Sequence, residues 1–109
     1  MDLALTNASM DDSFFRQLPD HTFASANALW GIASDSRAHW GIVAADFHND
    51  DDIDEFVANG GWKSIVSNQI LRNDLNEGGI FFDSSPGALD FNLIARSFSA
   101  AALDHDNDG

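Results

Sequence analysis

The stretch Ala44-Ala-Asp-Phe-His-Asn-Asp-Asp-Asp-Ile-Asp-Glu-Phe-Val-Ala-Asn59 decides how the rest of this chain is read. Asp46, Asp50, Asp51, Asp52 and Asp54 fall within nine residues. Such a concentration of like charge on a compact backbone is costly unless a cation compensates it. Calcium takes six to eight oxygen ligands, and a tight loop offering oxygens at alternate positions can wrap around it. Asp46, His48, Asp50, Asp52 and Asp54 occupy loop positions one, three, five, seven and nine. If position seven contributes its backbone carbonyl, the side chain of Asp52 need not ligate.

A solvated acidic turn is the plain alternative, and two features weigh against it. The run is framed by apolar segments, Trp40 to Ala45 and Ile53 to Ala58, so it reads as a short connection between strands. The chain also ends on Ala102-Leu-Asp-His-Asp-Asn-Asp-Gly109, which repeats the opening of the pattern with Asp104, Asp106, Asp108 and Gly109 at positions one, three, five and six.

Working outward, the same order of segments occurs twice. Asp11 to Gln17 parallels Ser67 to Asn73 at an offset of 56, and Phe23 to Ala26 parallels Phe81 to Ser84 at 58. Trp40 to Ala45 parallels Phe98 to Leu103, again at 58. A constant period with an insertion confined to one turn, here Asp74 to Gly79, marks repeated supersecondary units. Unit one spans about 13–66 and unit two about 67–109, ending within its metal loop. Residues 1–12 are polar and small and read as a flexible lead-in.

Each unit divides into about four short strands separated by Gly, Asn, Asp and Pro turns, with no amphipathic segment of helix length. The expected fold is therefore all-β, about two four-stranded antiparallel blades of the propeller type. Two units cannot close a ring of four or more blades, so the chain reads as a fragment of a larger β-propeller.

Composition narrows the function classes. With 18 Asp and Glu against five Lys and Arg, net charge -13 and pI near 4.1, the chain is unsuited to nucleic acid or anionic membranes. There is no cysteine, so disulfides and thiolate metal sites are excluded. No apolar run approaches the roughly 20 residues of a membrane-spanning helix, and no secretory signal is visible.

Taken together, Ala45-Asp-Phe-His-Asn-Asp-Asp-Asp-Ile-Asp54, Phe56-Val-Ala-Asn-Gly60, Asn68-Gln-Ile-Leu-Arg-Asn73 and Gly79-Ile-Phe-Phe-Asp83 resemble the FG-GAP/VCBS repeat. This is the blade unit of integrin-alpha-like propellers, and the likeness is greatest to the repeats of ASPIC/UnbV-domain proteins. The resemblance covers about Ser13 to Gly109. It implies a non-enzymatic, calcium-binding module that recognises protein or glycan partners in a secreted, periplasmic or cell-surface protein, without membrane insertion. It also implies Asp46, Asp50 and Asp54 as side-chain ligands and Asp52 through its carbonyl, with Asp104, Asp106 and Asp108 opening a second loop. Three departures stand out: His48 at position three is a poor ligand for a hard ion, Asp51 replaces glycine at position six, and Glu55 replaces the usual leucine on the face of Ile53 and Val57.

A helix-loop-helix calcium site fails on spacing, because position twelve is Val57 where a bidentate glutamate is required. An enzyme is the alternative from another class: clustered aspartates can hold magnesium for phosphoryl transfer or serve a hydrolase. The chain has no G-x-S-x-G elbow, phosphate-cradling glycine loop or H-E-x-x-H helix to support it. His39 and His48 read as surface or turn residues. Trp30, Trp40 and Trp62 read as buried anchors in preference to a sugar-stacking platform.

Overall fold

Alternating short apolar segments and turn residues become two antiparallel sheets in the computed structural model, which describes residues 2–32, 37–60, 65–83 and 96–104. The first sheet has the order β1 (Leu3–Leu5), β2 (Ser13–Gln17), β3 (Phe23–Ser25). A short helix, α1 (Asn27–Trp30), follows and stops at Gly31, whose φ of 71° lies in the left-handed region a side chain disfavours. The second sheet is a four-stranded meander of β4 (His39–Ala45), β5 (Asp54–Asn59), β6 (Gln69–Asn73) and β7 (Phe81–Asp83). Each strand pairs with the next in sequence, as short connections favour.

The expectation of an all-β chain agrees with this arrangement, but the sheets do not follow the boundaries of the sequence units. The second sheet takes β4 and β5 from unit one and β6 and β7 from unit two, because β5 is buried and pairs on both edges, with β4 and with β6. Two further expectations are corrected. Residues 1–12 are not merely a lead-in: Leu3, Ala4 and Leu5 pair with Phe15, Phe14 and Ser13, and Asp12 is buried. Phe98 to Leu103 is not strand-paired; an isolated parallel bridge joins Ser97 to Gly60. That segment instead packs across β4, with Phe98 and Trp40 ring centroids 5.5 Å apart. A side chain at Gly41 would meet the Ser99 backbone at 2.7 Å, so glycine permits this close approach.

The two sheets meet through aromatic rings. Phe14 on β2, 1% exposed, stands edge-on to Trp30 of α1 at 6.5 Å and lies 6.1 Å from Phe81 of β7. Val57 and Ala58 are fully buried on β5. Beside them the buried Asn59 Nδ2 donates to the Ser67 carbonyl and to Gln69 Oε1, while its Oδ1 has no hydrogen-bond partner among the described residues.

The pairings of the two sheets share one set of offsets. Phe15↔Ser25, Arg16↔Ala24 and Gln17↔Phe23 in the first become Leu71↔Asp83, Arg72↔Phe82 and Asn73↔Phe81 in the second, with β2 moved by 56 and β3 by 58. Likewise β1 against β2 matches β5 against β6, Leu3↔Phe15 answering to Glu55↔Leu71 when β1 is moved by 52.

Candidate metal centre

The acidic loop joins β4 to β5, and its local hydrogen bonds follow from its sequence. Aspartate carboxylates accept readily from nearby backbone N–H groups, and Asp46 accepts from Asp50 at 3.2 Å and Asp51 at 2.9 Å. Asp50 in turn accepts the N–H of Asp52 at 3.1 Å. To close this turn Asn49 and Asp51 adopt left-handed φ values of 58° and 68°, conformations in which Asn and Asp are the least strained non-glycine residues. Partial burial works against ionisation of Asp46, yet the backbone hydrogen bonds from Asp51, Asp50, Asn49 and His48 outweigh it and hold the carboxyl below its ordinary 3.8.

Of the residues expected to ligate, the fold brings three together: Asp46, His48 and Asp50 each offer one ligand atom, all within 4.8 Å of one another. Asp52 and Asp54 go elsewhere. Asp54 is fully buried, accepting the N–H of Phe47 and of Asn73, both at 2.9 Å, so it staples the loop to the end of β6. Its Oδ2 also lies 2.6 Å from His48 Nδ1, while His48 Nε2 lies 3.0 Å from Asp50 Oδ2. His48, exposed in the turn as expected, therefore also links positions five and nine. Asp52 is buried and turns to Asn76 through Oδ1, leaving Oδ2 without a hydrogen-bond partner among the described residues. Asp104 is exposed at the edge of the described chain. Asp106, Asp108 and Trp62 lie outside the described residues.

The donor chemistry suits a hard divalent ion in part. Two carboxylates converge with backbone that already curls around them, whereas the third member offers nitrogen and position nine is committed to the fold.

A second polar group escaped sequence reasoning. His39, expected at the surface, has its Nδ1 2.5 Å from Asp12 Oδ2, with the side chains only 11% and 5% exposed. Twenty-seven residues separate the two, so no local pattern could signal the pair. They line a cavity of about 390 Å³ with Arg37, Leu71, Ile80 and Phe81. Near them Glu55, on β5, has its carboxyl pushed up to about 8, first by burial and then by the Asp12 carboxylate. Its burial settles how the β5 face is packed: Glu55 and Val57 are enclosed while Ile53 is 54% exposed. On the rim Arg72 Nε donates to Asp74 Oδ1 at 2.6 Å, and the guanidinium lies 5.3 Å from the Phe82 ring centre.

Comparison of the chain with protein-family models, with curated proteins and with solved structures returned no match. Among the described residues no helix is long and apolar enough to cross a membrane.

Proposed function

We propose that this chain is a calcium-binding repeat of the β-propeller type, a structural and recognition module whose β4–β5 loop takes the ion. The observation that carries the reading is the convergence of Asp46, His48 and Asp50 within 4.8 Å, in a loop whose first carboxylate accepts from the backbone of the fifth and sixth positions. The meander β4-β5-β6-β7 and the shared offsets of the two sheets support a blade-like repeat. Asp46 and Asp50 supply side-chain oxygens, and position seven, Asp52, supplies its carbonyl because its side chain is engaged with Asn76. The ion neutralises the loop and pins β4 to β5, and the chemistry asked of it is structural. Partners are proteins or glycans met through loop residues, in a secreted, periplasmic or cell-surface setting.

Binding only the folded form at ten times its dissociation constant adds about 1.4 kcal/mol by mass action. Calorimetric melts in calcium and in chelator test this. The transition rises in calcium, and Asp50→Ala abolishes the rise; coincident curves for the unaltered chain refute the assignment.

A further inference from the structure

Between the two sheets lies the cavity of about 390 Å³, a volume within the range of sites that enclose a small molecule. Its walls divide by chemistry. Leu71, Ile80 and Phe81 form an apolar side, and Asp11, Asp12, Arg37 and His39 a polar one. Asp12 is already engaged by the fold: Oδ1 accepts the Asn7 N–H at 2.8 Å, and Oδ2 lies 2.5 Å from His39 Nδ1.

Glu55 adds an acid that the fold leaves unmatched. Residues paired directly across antiparallel strands point to one face of a sheet. Glu55 pairs with Leu71 and Val57 with Gln69, and both of these partners line the cavity. The Glu55 side chain is therefore on the cavity face of the second sheet, within electrostatic reach of Asp12. It is 9% exposed, and its Oε2 has no hydrogen-bond partner among the described residues. A buried acceptor in that condition costs free energy that a donor would restore. Three carboxylates, Asp11, Asp12 and Glu55, stand against two bases, Arg37 and His39, so the donor that suits the site also carries positive charge. A hard metal ion fits poorly, because it needs about six oxygens and much of this cavity is hydrocarbon. Among the described residues, the acid and histidine atoms that converge as a metal-ligand group are those of the β4–β5 loop.

We propose that this cavity binds a small primary amine, its ammonium held between Glu55 and Asp12 and its apolar body against Leu71, Ile80 and Phe81. The ammonium supplies three N–H donors and a charge that offsets Glu55, and the Phe81 ring gives the body an aromatic wall. The site is separate from the β4–β5 loop and independent of the calcium reading.

Phenethylammonium is the probe, titrated in chelator at pH 7 by calorimetry in two buffers of different ionisation enthalpy. 2-Phenylethanol and 3-phenylpropionate serve as neutral and anionic counterparts of similar shape. The amine binds about tenfold more tightly than either, as a charge-assisted pair implies, and shifts the amide resonances of Leu71, Ile80 and Phe81. Burial and the Asp12 carboxylate raise the Glu55 carboxyl to about 8, so pairing with the ammonium expels close to one proton per amine bound, taken up by the buffer. Glu55→Gln keeps the shape, abolishes the proton release and brings the amine to within about threefold of the alcohol. Equal affinity for amine and alcohol, preference for the carboxylate, or no proton released by the unaltered chain overturns the proposal. So does an amine preference that survives in Glu55→Gln, or the absence of saturable binding at millimolar amine. Because chelator is present throughout, such a failure leaves calcium binding by the β4–β5 loop untouched, and a loop that binds no calcium leaves the amine titration expected.

Discussion

Replacing Glu55 by glutamine will stabilise the fold, and the gain will grow from pH 5 to pH 8. Glu55 is only 9% exposed, and its Oε2 has no hydrogen-bond partner among the described residues. Burial, reinforced by the Asp12 carboxylate, lifts its pKa from the ordinary 4.5 to about 8. Between those values the folded chain holds a proton that the unfolded chain has released, so stability falls as pH climbs through the window and levels off above it. At 1.36 kcal/mol per pH unit, the penalty is on the order of 3 kcal/mol at pH 7 and about 5 kcal/mol above pH 8. That is comparable with the whole stability of a small domain. Glutamine keeps the shape and removes the charge, and titrations of the other acids cancel in the difference between the two proteins. Urea unfolding of both at pH 5, 6, 7 and 8 measures it: the difference in midpoint free energy should widen steadily, by about 3 kcal/mol from pH 5 to pH 7. Parallel stability profiles across this range would refute a buried protonated carboxyl at position 55.

Other substitutions probe the loop and the core. His48→Asp sets a third carboxylate against Asp50 and Asp54, so in chelator the melting temperature drops, while the rise on adding calcium exceeds that of the unaltered chain; no difference in either would discount loop position three. Asp51→Gly relieves a left-handed residue at φ 68° and should raise unfolding free energy by up to about 1 kcal/mol by urea titration; a loss would mean the carboxylate matters more than the backbone. Phe14→Ala empties the contact with Trp30 and Phe81 and should cost about 3–5 kcal/mol, a loss measurable as a lowered urea midpoint; a change below 1 kcal/mol would show that the sheets are not held through this ring.

Strand positions were largely open to reading from the chain. Ser13–Gln17, Phe23–Ser25, His39–Ala45 and Asp54–Asn59 lie within a residue or so of the segments marked by apolar runs and turn residues, because strand formation is signalled locally by alternation and by what breaks it. The offsets of 56 and 58 were visible for the same reason. β1 was missed because Leu3-Ala4-Leu5 is too short to carry a pattern of its own, and only its pairing with β2 makes it a strand. Within the loop, alternation marked Asp46, His48, Asp50, Asp52 and Asp54 as one group, of which the fold brings only the first three together. That Asp54 would serve as a buried staple depended on an N–H from Asn73, nineteen residues away.

From its sequence alone, then, this protein declares an acidic, β-rich chain without cysteine, with a hairpin loop whose carboxylates sit at alternate positions, since charge, periodicity and turn chemistry are properties of neighbouring residues. Tertiary structure alone decided which strands share a sheet, that Asp54 is a buried staple, and that Asp12, His39 and Glu55 meet in the interior. Those outcomes depend on contacts between residues far apart in the chain, whose energies come from burial and desolvation that no local pattern encodes.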